Sequence, residues 1–121
     1  MEDGCKERLK EITEKFKICR KALSALGDET RQLIIIALLE SDYEGIRVGE
    51  IAGKTHLSRP SVSHHLQILK DAQIINMRRE GTKNYYYIDS NETQWKSLSE
   101  LLNLVYTGVL DISKNDTRKG E

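Results

Sequence analysis

Apolar side chains near the start of the chain fall at Cys5, Leu9, Ile12, Phe16, Cys19, Leu23 and Leu26, stepping alternately by four and three. That spacing lays them along one face of a helix and is the spacing of a coiled-coil seam. Gly27 can take the left-handed conformation that ends such a helix, and Asp28 is placed to cap the next one. The second helix, Glu29 to Glu40, holds an unbroken apolar run from Leu33 to Leu39. A helix that is apolar nearly all round belongs in the middle of a core.

Asp42 to Gly45 reads as a loop, and Val48 to Lys54 as a third helix that turns Val48, Ile51 and Ala52 inward. Thr55-His56-Leu57 makes a tight turn, after which Ser58 caps a fourth helix running to about Ala72. Its inward face is Val62, Leu66 and Leu69; Ser61, Ser63, His64, Gln67 and Lys70 lie opposite. Two short helices joined by a three-residue turn, with one polar outward face, form a helix-turn-helix over about residues 48–72.

Ile74 to Glu80 and Asn84 to Asp89 alternate in polarity around Gly81 and Thr82, the pattern of a hairpin over about residues 74–89. Met77, Tyr86 and Ile88 are expected to face in, leaving Arg79, Lys83 and Tyr85 near the tip. Glu92 to Ile112 predicts a long last helix with its stripe at Trp95, Leu98, Leu102, Val105, Val109 and Ile112, followed by a polar, frayed tail over 113–121. The expected fold is mainly α with a small β-hairpin: four helices, two strands and a fifth helix, a winged helix-turn-helix in one domain spanning 1–121.

Both terminal helices carry seams wider than a monomer of this size needs, which predicts a homodimer built from the first and last helices. Two-fold pairing would set two reading helices about one turn of DNA apart, roughly 34 Å, and call for an inverted-repeat operator in double-stranded DNA.

Charge sharpens this picture. The chain has 19 basic and 19 acidic side chains, a balance that would argue against nucleic acid if it were evenly spread. From Lys54 to Asp89, however, six basic residues meet three acidic ones, a net +3, while the first 53 residues carry a net −2 and the last 32 a net −1. The positive charge sits on the helix-turn-helix and the hairpin. No apolar run approaches the ~20 residues that span a bilayer, and the start MEDGCKERLKE is too charged for a secretory signal. A cytoplasmic protein without a membrane partner is expected. Cys5 and Cys19 are too few for a disulfide framework and fit a reducing compartment.

The strings GDETRQLIIIALLE, VGEIA, LSRPSVSHHLQILKDAQII and RREGTKNYYYI, taken in order, resemble the ArsR/SmtB-type winged-helix repressors over roughly residues 22–112. The resemblance implies a homodimeric repressor that blocks a promoter and lets go when an inducer binds, often a soft metal or metalloid. The chain departs from the family where that inducer would bind. Metal-sensing relatives carry Cys-Val-Cys in the third helix, where this chain has Arg47-Val48-Gly49, and neither Arg nor Gly ligates a soft cation. Relatives with a second metal site use Asp and His on the last helix, yet no histidine follows His65. No metal or cofactor is therefore expected, and the inducer is unidentified.

Ser61, Ser63, His64 and Gln67 sit near the N-terminus of a capped helix, where base edges would be met, and Arg59 and Lys70 suit phosphates. His65 turns partly inward as a packed, hydrogen-bonded histidine. Arg78, Arg79, Lys83 and Tyr85 place cations and a phenol on the wing, within reach of the minor groove or the backbone. The bland alternative is a merely solvated face. Cys5 and Cys19 share one seam of the first helix and read most simply as small hydrophobes. The resemblance adds a sharper possibility, a thiol or metalloid sensor, because related repressors place sensing cysteines on this helix. Fourteen residues of helix span about 21 Å, so no disulfide joins the two within one chain. No phosphate loop, HExxH or nucleophile elbow is present, so catalysis is not expected. The rival from another class is a winged-helix protein interaction module that uses the helix-turn-helix only as scaffold.

Overall fold

Asp28 and Ser58 decide where two helices begin. Each holds an extended backbone and turns a side-chain oxygen onto an otherwise unpaired N–H, that of Arg31 at 2.9 Å and that of Ser61 at 3.2 Å. The computed structural model describes residues 3–42, 44–89, 91 and 93–115. Its elements are α1 (Asp3–Leu26), α2 (Glu29–Leu39), α3 (Val48–Thr55), α4 (Arg59–Asp71), β1 (Asn76–Glu80), β2 (Lys83–Tyr87) and α5 (Trp95–Asn115). This is the expected order of a winged helix-turn-helix. The chain divides into two compact units, an inner one of Lys21–Trp95 and a terminal one of Met1–Arg20 with Lys96–Glu121.

The inner unit is built where α2, α3 and α4 pack on one another. Ile34, Ile51, Val62, Leu66 and Leu69 are fully buried there, with Ile35, Ala37 and Leu38 nearly so. Burying a large aliphatic side chain contributes roughly 1.5–3 kcal/mol. In α2 only one side is covered: Leu33, Ile36 and Leu39 remain exposed, which corrects the expectation of a helix buried all round. The other elements of the unit engage a single face of α2, so an apolar composition does not bring burial on every side.

Gly27 does not take the left-handed conformation expected of it; the glycines that do are Gly45 and Gly81. The carbonyls that α1 leaves open are instead met from α2. Arg31 Nε donates to Ala25 O at 2.7 Å and Gln32 Nε2 to Leu26 O at 2.8 Å. Side-chain donors thus do what a left-handed turn would have done. His56 does adopt that conformation, φ 59°, and closes the turn between α3 and α4. Gln73, φ 58°, does the same after α4 and leads into the buried pair Ile74–Ile75.

The two strands pair antiparallel, with Met77 opposite Tyr86, Arg78 opposite Tyr85 and Glu80 opposite Lys83. Gly81, at φ 62°, takes the first place of the two-residue loop, where a type II′ turn requires glycine. Both strands are shorter than expected, and Met77, Tyr86 and Ile88 are only half-buried. The loop before α3 supplies a bridge that the polarity pattern does not show: Ile46 and Tyr86 exchange backbone hydrogen bonds of 3.0 and 2.8 Å. A Cβ on Gly45, which holds φ 99°, would lie 2.9 Å from Tyr86 O, so the root of the wing needs glycine there.

In the terminal unit, Lys15 Nζ bonds Glu100 Oε2 at 2.7 Å, and this bond holds the Glu100 carboxyl below its usual range. Ile12 Cδ1 lies 3.0 Å from where a Cβ of Gly108 would stand, so α1 and α5 approach closely at a glycine. On α5 the buried leucines are Leu98 and Leu101, whereas Leu102 is 63% exposed, a correction of one position to the expected stripe. Helix α5 begins at Trp95, just after Gln94, whose N–H donates to Gln73 O at 2.8 Å, and it continues through Asn115, past the expected start of the tail. Glu92, residues 116–121 and the side chains of Val109 and Ile112 lie outside the described residues.

Candidate nucleic-acid interface

Helix α4 is capped by Ser58 and carries Pro60 in its first turn, where a missing N–H costs nothing. Because Val62, Leu66 and Leu69 are fully buried, the helix cannot roll, and its remaining face is presented outward. Arg59, Ser63, His64, Gln67 and Lys70 are exposed on it, while Ser61 is half-buried. The structure brings these expected contact residues onto one element.

Two of them are already engaged. Gln67 Nε2 donates to Asp71 Oδ1 at 2.8 Å, one helical turn further on. This leaves the Gln67 carbonyl oxygen and one amide hydrogen for a ligand, the acceptor and donor that the major-groove edge of adenine complements. Asp71 was not singled out from the sequence, although its i,i+4 spacing from Gln67 signals the pair. The Arg59 guanidinium lies against α3: a Cβ at position 49 would meet its Nη2 at 3.0 Å and its Cζ at 3.3 Å. Gly49 is the space into which Arg59 fits.

On the wing, the Arg78 guanidinium sits 4.6 Å from the centre of the Tyr85 ring and bonds Glu80 Oε1 at 3.2 Å. Arg79 turns back onto its own loop, Nε donating to Gly81 O at 3.0 Å, and stays exposed beside Lys83. Tyr85 is half-buried under Arg78 rather than free at the tip, because the register sets the two directly opposite.

Behind the exposed face of α4, half-buried His65 meets Arg31, with Nδ1 and Nη1 3.3 Å apart, as its expected packed, hydrogen-bonded role requires. Arg31 also reaches Ala25 O at 2.7 Å and Ser24 O at 3.4 Å, and its backbone N–H binds the Asp28 carboxylate. That backbone hydrogen bond, ahead of the charge of Arg31, holds the Asp28 carboxyl below the usual value. Sequence reading left Arg31 without a role, since its partners lie up to 34 positions away.

Among the described residues no three His, Cys, Asp or Glu side chains come together as a group that could hold a metal ion. Cys19 is fully buried and Cys5 half-buried. Among those residues, too, no helix is long and apolar enough to cross a membrane.

Residues 28–77, which contain α2, α3, α4 and the start of β1, match the model of the "Bacterial regulatory protein, arsR family". The chain is 40% identical over 75 residues to the uncharacterized HTH-type transcriptional regulator MJ1325 of Methanocaldococcus jannaschii, covering 62% of this chain and 82% of that one. It is 36% identical over 88 residues to the transcriptional repressor SdpR of Bacillus subtilis, covering 73% and 93%. Among solved structures, it superimposes on the homodimeric winged helix-turn-helix DNA-binding domain of Mb0332 from Mycobacterium bovis with a TM-score of 0.51 and 26% identity, over 93% of this chain and 90% of that one. Two regulators more than a third identical across most of their lengths, a matching family model and a shared winged fold lead to one conclusion: the chain belongs to the arsR family of bacterial transcriptional regulators.

Proposed function

We propose that the whole chain works as a single winged helix-turn-helix domain in the cytoplasm, a homodimeric repressor that binds an inverted-repeat operator in double-stranded DNA. The observation that carries this reading is the asymmetry of α4. One face is locked into the core by Val62, Leu66 and Leu69; the other exposes Ser63, His64, Gln67 and Lys70. Ser63, His64 and Gln67, with Ser61 beside them, read base edges, while Arg59 and Lys70 hold phosphates. Arg78, Arg79, Lys83 and Tyr85 bring the wing to the backbone or the minor groove. The family consists of transcriptional regulators, which are not enzymes, and this chain acts by binding rather than by catalysis.

Pairing through α1 and α5 is supported by what those helices leave uncovered. Leu102, Tyr106 and Leu110 are exposed at successive steps of four on α5, as are Leu9 and Phe16, seven apart, on α1. Mb0332, which shares the fold, is homodimeric. A small change of angle at such a seam misplaces two helices that must match a fixed DNA spacing, and this is how an inducer releases the operator. That inducer is a ligand other than a metal held by the third-helix or last-helix ligands of metal-sensing relatives.

The test is a gel shift of the full chain on its own upstream promoter DNA at moderate salt, against scrambled DNA of equal length, with the mass in solution measured in parallel. A shift specific to the promoter, from a species of twice the chain mass, is expected. Equal binding to both DNAs, or none, would leave a protein interaction module as the reading. If oxidant or arsenite released the promoter complex, and Cys5→Ser with Cys19→Ser abolished that release, the inducer would act through the thiols.

A further inference from the structure

The exposed imidazole of His64 rests edge to face on that of His65, ring centres 5.2 Å apart and planes inclined by 63°. Among the described residues the His64 ring has no other aromatic, ionic or hydrogen-bonding partner. The ring of His65 is thus the one such neighbour that can orient it, and that ring is itself contacted from behind. Arg31 carries only donors, so in its 3.3 Å contact with Nδ1 that nitrogen is the acceptor. Arg31 in turn has little freedom: its Nε and Nη2 are spent on Ala25 O and Ser24 O, and its backbone N–H is held by Asp28. A flexible side chain pinned at two carbonyls, on a backbone held by the helix cap, makes a firm support.

We propose that Arg31 is a positioning residue for operator reading: through His65 it holds the imidazole of His64 in the orientation that meets a base edge, so that selectivity at one base pair of each half-site is set from the second helix. This rests on the reading of α4 as the DNA-contacting helix. Arg31 itself touches no base. A guanidinium would ordinarily be counted among the phosphate-binding cations of such a protein, but the anchors of this one turn it away from that task.

The test uses the full chain and a genomic fragment recovered by the wild-type protein, with each base pair of one half-site varied in turn. Affinities of wild type, His64→Ala, Arg31→Met, His65→Gln and the Arg31→Met/His64→Ala double variant are measured on that set, with salt slopes on the parent fragment. His64→Ala is expected to flatten the preference at one base pair. Arg31→Met and His65→Gln should each lower the preference at that same pair about tenfold, within the range that a good base contact supplies. Salt slopes should stay unchanged, and the double variant should lose no more at that pair than His64→Ala alone. His65→Gln leaves the anchors of Arg31 on α1 intact, so it decides the matter should Arg31→Met fail to fold.

The proposal is overturned if Arg31→Met or His65→Gln weakens operator and scrambled DNA equally, if their effects add to that of His64→Ala, or if His64→Ala leaves every base preference intact. A wild-type protein that fails to tell operator from scrambled DNA would instead sink the DNA-reading function itself.

Discussion

Arg78 and Tyr85 face each other across the hairpin, the guanidinium 4.6 Å from the centre of the phenol ring. Through this contact and the Arg78–Glu80 pair, one of the wing's cations also helps to hold its shape. Arg79 and Lys83 remain as the exposed cations at the tip. Replacing Tyr85 by Leu should loosen the wing by about 0.5–1 kcal/mol, the worth of an exposed cation–π contact. Urea unfolding with a probe on the hairpin would register this, and an unchanged midpoint would count against the contact.

Arg79→Ala should weaken binding to every DNA sequence alike. Losing one phosphate contact should also lower the slope of log affinity against log salt by nearly one unit. A variant that altered base preference while keeping the wild-type slope would place Arg79 in the groove as a base reader instead.

The Asp28 carboxyl is held below its ordinary range first by the Arg31 backbone N–H. A depressed folded value means that the stabilisation is present above the unfolded value, near 3.8, and fades as pH falls through the lower folded one. Asp28→Ala should therefore unfold at lower urea than wild type at pH 7, with the gap narrowing below about pH 4. A gap of constant size down to pH 2 would assign the effect to something other than the ionised cap.

Gly45→Ala tests the root of the wing. Its φ of 99° and the 2.9 Å approach to Tyr86 O leave a methyl group nowhere to go, so a loss of roughly 1–3 kcal/mol is expected. Gly53→Ala, in open space within α3, should have no such cost and serves as the control.

The two thiols should differ in reactivity. Cys5 is half-buried and should react with a thiol reagent in the folded protein, whereas Cys19 has no exposed surface and should react only as the protein opens. Equal rates in native buffer would mean that α1 opens readily around Cys19.

Much of the inner unit could be read from local chemistry. Asp28 and Ser58 cap the helices they were expected to cap, the three-four spacing of Val62, Leu66 and Leu69 marks the buried side of α4, and Gly81 turns the hairpin. What escaped was the work of long side chains across sequence distance. Nothing near Gly27 announces that Arg31 and Gln32 will satisfy the carbonyls of α1, and nothing near Arg59 announces that it will lie on Gly49. For α2, composition reports that seven consecutive residues are apolar, but which of them are covered depends on how many partners the fold supplies. The same limit moved the buried leucine of α5 from Leu102 to Leu101.

The bare backbone at Gly49 ties two properties together that would otherwise evolve apart. Any side chain installed there, a thiol included, would press on the Arg59 guanidinium and shift it by a few tenths of an ångström. If Arg59 holds a phosphate as proposed, a descendant that acquired a soft-ion ligand at this position would move that phosphate contact in the same single step.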